Sequence, residues 1–282
     1  MGALCVAVND KSSKSLTSNR PAKRPTQLPG LPNLGHTSYL NAVLQCLWRL
    51  KAVQECCGNT EPAEGLAATL RAFVRSQQAG QRNVGLLLEF LRSTPQLMVG
   101  KPHAAWDFLN CLWSELEGCA FGKALCSTFH GKLLYSTRCL SCQALGMRVT
   151  PFLTLSVECT INTTLESGLN SVLAETVDWA CESCEGPETS LDSAQLTDFP
   201  RVLVLRLIRT SPALLIRYPL DFLNMNKTPA YKLAAVVIER EGHAVAEVLT
   251  DQGWLEVNDE DVLEGPTVVS PWASLLFYEC CL

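Results

Sequence analysis

The sequence predicts an α+β fold built as one domain, helical in its first part and β-rich in its second. Three observations carry that expectation. Apolar residues recur at helical spacing from Leu28 to about Gly118. From about Phe129 onward, short apolar and alternating runs read as strands, with no internal repeat. The chain has 282 residues and 47% hydrophobic content, enough for one sizeable core. Helices followed by strands place one seam between the two parts, and a site built from both would lie there.

Residues 1–27 include DKSSKSLTSNRPAKRPTQ, a polar, basic stretch whose composition is that of a disordered tail. Its Lys23-Arg24 pair is too small for a nuclear signal. The run YLNAVLQCLWRL follows, with Leu40, Val43, Leu44 and Leu47 on one helical face. Ser38 stands at the start of that helix, where serine is a common cap. Further helices are expected over GLAATLRAFVRSQQ (65–78), VGLLLEFLRS (84–93) and AAWDFLNCLWSELE (104–117), each with an apolar stripe. The strand candidates are GKLLYSTR, RVTPFLTLSV, RVLVLRLIR, KLAAVVIER, HAVAEVLT and ASLLFYEC. One helix, TTLESGLNSVLAE (163–175), interrupts them.

Composition narrows the function. A net charge of −5 gives no nucleic-acid footprint. No apolar run reaches the length of a membrane span. The start, MGALCVAV, lacks the basic region of a secretory signal, and Val6 occupies the Ser/Thr position of the myristoylation pattern. A cytoplasmic or nuclear protein is the expectation. The 14 cysteines then read as metal ligands where paired and mostly as buried thiols elsewhere. Cys139-Leu-Ser-Cys142 and Cys181-Glu-Ser-Cys184 form two C-x-x-C knuckles. Together they offer four thiolates to one tetrahedral, structural zinc. The competing reading is four reduced cysteines at hairpin ends.

Residues 28–47, LPGLPNLGHTSYLNAVLQCL, resemble the nucleophile box of the ubiquitin-specific proteases, G-L-x-N-L-G-N-T-C-Y-x-N-S-x-L-Q. Gly30, Leu31, Asn33, Leu34, Gly35, Thr37, Tyr39, Asn41, Leu44 and Gln45 all fit, and Ser38 stands where the family has its catalytic cysteine. A second stretch, YKLAAVVIEREGHAVAEVLTDQGWLEVNDEDV, is similar to the family's second box. There Gly242-His243 match its G-H pair and Trp254 its tryptophan, with Asn258 and Asp259 following. The resemblance covers residues 28–282. It implies a papain-like fold with a helical thumb (28–118), zinc-ribbon β fingers (about 119–200) and a β palm (201–282). It also implies that His243 is the general-base position, that Asn258 orients its imidazole with Asp259 next to it, and that Asn33 is the oxyanion position. By its chemistry alone, Asn33 reads as a turn residue, and only within this box are the two roles even.

Three departures bear on activity. A thiol, with a pKa near ~8.5, can be ionised at a helix N-terminus, whereas an alcohol there must lose its proton to a base as it attacks. Ala104 takes the place of the aspartate that contacts the basic tail of ubiquitin in the family, and Ala244 replaces an aromatic after the histidine, which would loosen the packing there. Glu239 sits where many members have a non-catalytic histidine. The resemblance therefore implies an inactive member, a scaffold or regulator acting by protein binding, with ubiquitin or a ubiquitin-like protein among its partners. The rival is an enzyme: Ser38, His243 and Asn258 as a serine hydrolase, or Ser38 as an engineered trap in an active deubiquitinase. A third reading is a zinc-stabilised interaction module unrelated to ubiquitin.

Overall fold

The computed structural model describes residues 29–97, 100–160, 164–173, 181–185, 189–209, 216–220, 230–265 and 269–281. The segment 1–27 expected to be disordered lies outside them. Six helices come first: α1 (Ser38–Arg49), α2 (Lys51–Gly58), α3 (Gly65–Gln78), α4 (Val84–Ser93), α5 (Ala105–Leu116) and α6 (Ala120–Ser127). Strands β1 (Gly131–Cys139), β2 (Leu145–Phe152) and β3 (Leu155–Cys159) precede α7 (Leu165–Leu173). Then come β4 (Thr189–Asp198), β5 (Val202–Arg209), β6 (Tyr231–Arg240), β7 (His243–Thr250), β8 (Gly253–Asn258), β9 (Asp261–Glu264) and β10 (Ala273–Cys280).

The described strands form two sheets. A three-stranded sheet has the order β2-β1-β4, and a seven-stranded sheet the order β3-β5-β10-β6-β7-β8-β9. All neighbours are antiparallel except β3 and β5. The run RVTPFLTLSV is therefore not one strand. Its first half belongs to β2 in the small sheet, and its second half, β3, crosses to the large one.

The large sheet is buried on both faces, as its apolar runs require. One face, with Val204, Ala235, Val237, Ala246, Val248, Leu275 and Phe277, packs with helices α1 to α6 in a single core. The other face, with Leu203, Leu205, Leu233, Val236, Leu276 and Tyr278, packs with Leu165 and Leu169 of α7. Helix α1 is sandwiched between the sheet and the other helices, so every residue from Ser38 to Trp48 is buried. The single stripe expected from the sequence understates this, because Asn41 and Gln45 are enclosed as well. Gln45 Nε2 donates to the Pro29 carbonyl and Oε1 accepts from Trp48 Nε1, so the buried amide finds partners. Enclosure on all sides fixes the direction of α1 and hence the position of its first residue, Ser38.

Candidate active site

The N-terminus of α1 meets the start of β7. Thr37, not Ser38, is the N-cap residue, and Ser38 is the first residue of the helix. This corrects the capping role expected of Ser38. Its side chain instead reaches across to the sheet, where Ser38 Oγ accepts a hydrogen bond from the Ala244 amide at 3.2 Å. Ser38 is only 3% exposed. Ala244 is buried in the same core.

His243 is aimed by its turn. Glu241 (φ 53) and Gly242 (φ 78) join β6 to β7, with Arg240 paired to His243. Positive φ at both central residues is the two-residue hairpin turn that matches strand twist, and the second position suits glycine. The turn sets His243 at the strand start, and β8 brings Asn258 beside it. His243 Nε2 lies 2.7 Å from Asn258 Oδ1. With that oxygen accepting, Nε2 carries the proton and Nδ1 is the basic nitrogen. Among the described residues, the hydrogen bond of the Ser38 hydroxyl is to Ala244, and none joins Ser38 to His243.

Asn33 and Asp259 are brought together. Asn33 Oδ1 accepts from the amides of Gly35 and Thr37, each at 3.1 Å, and so builds the turn ahead of α1. Asn33 Nδ2 donates to Asp259 Oδ2 at 2.9 Å, so the side-chain amide expected at the oxyanion position is directed at a carboxylate. Asn41 Nδ2, one turn into α1, donates to Asp259 Oδ1 at 2.7 Å. The Asp259 carbonyl also accepts from the Leu31 amide at 2.8 Å. The approach is close enough that a Cβ on Gly30 would meet Asp259 O at 2.5 Å. Asn258 thus serves the histidine, while its neighbour Asp259 clamps the segment that leads to Ser38. Asn41 was legible only as a fit to the box. Its distance from Asp259 in sequence hides the contact.

An open cleft of ≈ 410 Å³ runs beside His243, between the turn and the start of α5. Ala104 and Asp107 line one side, and Glu239 and Glu241 the other. Ala104 is the N-cap of α5, and its own amide donates to Asp107 Oδ2 at 3.2 Å. Glu239 Oε1 accepts from the Ala105 amide at 2.7 Å, satisfying a free N–H at the helix start and fixing α5 to β6. From the sequence, Glu239 was legible only as a departure from the family's histidine, not as the anchor of α5.

The two knuckles converge at the tip of the small sheet. The sulfurs of Cys139, Cys142, Cys181 and Cys184 all lie within 4.8 Å of one another. Cys139 and Cys184 are 3.6 Å apart, Cys142 and Cys181 3.7 Å. Four thiolates at ~2.3 Å from a tetrahedral zinc would stand about 3.8 Å apart, so the cluster fits one such ion. The Cys142 amide donates to Cys139 Sγ, the largest cause of a Cys139 pKa lowered to about 6; Cys181 is lowered chiefly by the Ser183 amide. All four ligands would be protein atoms, which is the pattern of a structural site.

Residues 29–278 match the ubiquitin carboxyl-terminal hydrolase family. Human ubiquitin carboxyl-terminal hydrolase 3 is 26% identical, over 88% of this chain and 67% of its own length. Ubiquitin carboxyl-terminal hydrolase 12 of Salmo salar is 25% identical, over 83% and 81%. Among solved structures, the SAGA DUB module Ubp8/Sgf11/Sus1/Sgf73 bound to monoubiquitin superposes with a TM-score of 0.73 at 22% identity, covering 91% of this chain and 70% of that one. The same module bound to ubiquitin aldehyde gives 0.70. The fold is thereby that of the ubiquitin-specific proteases.

Proposed function

Because the chain belongs to the ubiquitin carboxyl-terminal hydrolase family, we propose that it uses that fold without catalysis, as a scaffold or regulator that works by binding protein. The observation that carries this reading is the serine at residue 38, whose oxygen accepts from Ala244 and makes no hydrogen bond to His243 among the described residues. A thiolate at the start of α1 would draw stability from the helix dipole and need no base at the moment of attack. A serine needs its proton removed, and the hydrogen bond through which His243 would do so is not formed.

The solved relatives that hold ubiquitin support ubiquitin, or a protein like it, as a partner. Ala104 weakens the grip on a basic tail. A charge-assisted hydrogen bond to such a tail is worth roughly 1.5–3 kcal/mol, and alanine cannot make it. Zinc in the Cys139, Cys142, Cys181 and Cys184 cluster would hold the tip of the small sheet. We assign the protein to the cytoplasm or nucleus, on its cysteine usage.

A second reading keeps an enzyme. The His243–Asn258 pair is intact and leaves Nδ1 basic, which is what a serine hydrolase, or an active relative carrying an engineered serine, would require. Fluorescence anisotropy with labelled ubiquitin, run beside cleavage of a ubiquitin–lysine isopeptide conjugate, separates the readings. The proposal expects saturable binding and an uncleaved conjugate. Cleavage that disappears in Ser38→Ala establishes the enzyme instead. Absence of both binding and cleavage removes ubiquitin as the partner.

A further inference from the structure

Helix α1 ends at a second cavity. Ser38 begins it beside the cleft, and Arg49 ends it at a larger cavity of ≈ 730 Å³, roughly 16 Å away along the helix. This cavity lies where the α1–α2 junction meets the ends of β6, β7 and β10, and Arg49, Lys51, Arg201 and Lys232 all line it.

The acidic groups in its wall are largely engaged. Glu55 Oε2 pairs with Arg201 Nη2 at 2.6 Å. Glu279 Oε1 accepts from the Ala52 amide at 3.1 Å, and the charges of Lys51 and Arg201 also act on it. Asp251 lies exposed at the rim. Arg49 is different. Its guanidinium carbon sits 3.7 Å above the Trp48 ring, so one face is held rigid. Its Nε and Nη2 are enclosed and have no hydrogen-bond partner. Burial lowers its pKa to about 10, which leaves it charged at neutral pH. Arg49 as a whole is half-buried, so the accessible part of this positioned guanidinium is what it offers to the cavity it lines.

We infer that this cavity is a binding site for a small multivalent oxyanion, with Arg49 as its fixed cation and Lys51 and Lys232 closing over the ligand. The volume suits a small molecule rather than a protein segment, since ligand pockets run to about 300–1,000 Å³. A planar guanidinium recognises phosphate and carboxylate oxygens alike, so the shared chemistry is the oxyanion.

Isothermal titration calorimetry on the full chain at constant ionic strength tests this, with inorganic pyrophosphate and citrate as the two probes. One anion per chain is expected, and Arg49→Gln and Lys232→Gln should each weaken binding by about tenfold or more. Lys232 is exposed, so its variant keeps the test open should Arg49→Gln fail to fold. Binding of pyrophosphate alone assigns the site to phosphate groups. Binding of citrate alone assigns it to carboxylates. No heat from either anion at millimolar concentration overturns the inference. So does equal affinity in the native and Lys232→Gln chains, which marks an adventitious ion only.

Discussion

Ser38 Oγ accepts the Ala244 amide at 3.2 Å, so the first residue of α1 is tied to the second residue of β7. The serine thereby has structural work at the N-terminus of α1. Ser38→Ala leaves the buried amide of Ala244 without an acceptor, at a cost of about 1–3 kcal/mol. Urea unfolding of Ser38→Ala against the native chain checks this. An unchanged midpoint would show that the bond contributes nothing.

Glu239 fastens α5 to the sheet through the Ala105 amide. Glu239→Ala should destabilise by about 1–3 kcal/mol. Glu239→Gln keeps an acceptor oxygen and should lose much less. Thermal denaturation of the two variants side by side measures the difference, and equal losses would mean that the carboxylate acts by charge alone.

Glu247 gives stability a pH dependence. It is 2% exposed on β7, opposite Glu256 of β8, and burial followed by the Glu256 charge raises its pKa to about 8. The native state therefore binds this proton more tightly than the unfolded chain, where an ordinary glutamate titrates near ~4.3. Its contribution is fully present below that value and is lost as pH rises through about 8. Tyr218, raised to about 12 mainly by burial, and Cys46, raised well above its usual value by burial, both sense Glu247 and stay neutral over this window. Glu247→Gln should flatten the fall in unfolding free energy between about pH 5 and pH 8. A slope that persists in the variant would place its origin elsewhere.

Zinc content is the next expectation. The four sulfurs of Cys139, Cys142, Cys181 and Cys184 stand at the spacing of one tetrahedral ion. One zinc per chain should be released to a chromogenic chelator, and Cys142→Ser with Cys184→Ser should abolish it. Loss of the metal should expose the small sheet to protease before the large one, because that sheet has three strands and is joined at its tip. Absence of zinc in protein made in zinc-replete medium would contradict the assignment.

Much of this arrangement was legible in local pattern. The apolar runs of β5, β6, β7 and β10 mark the large sheet, and the two knuckles mark the metal cluster. What was hidden has physical reasons. β4, TSLDSAQLTD, is polar and gains its place by backbone pairing with β1. α2 and α6 have eight residues each, too few for periodicity to stand out. The Asn33–Asp259 bond joins residues 226 apart, so no local pattern reports it. Glu247 interrupts the apolar run of β7, and that lone carboxylate was the one available signal of a perturbed proton there, whereas Glu239 stands at the charged end of β6 beside Arg240.

The central question is whether Ser38 turns over substrate. Hydrolysis of a fluorogenic ubiquitin C-terminal reporter by the native chain, Ser38→Cys and Ser38→Ala, at matched concentration, answers it most directly. The native chain and Ser38→Ala should give the same rate, at the level of the blank. Cleavage by Ser38→Cys would show in addition that His243 and Asn258 still form a working pair. Cleavage by the native chain that vanishes in Ser38→Ala would contradict the account and make Ser38 a nucleophile.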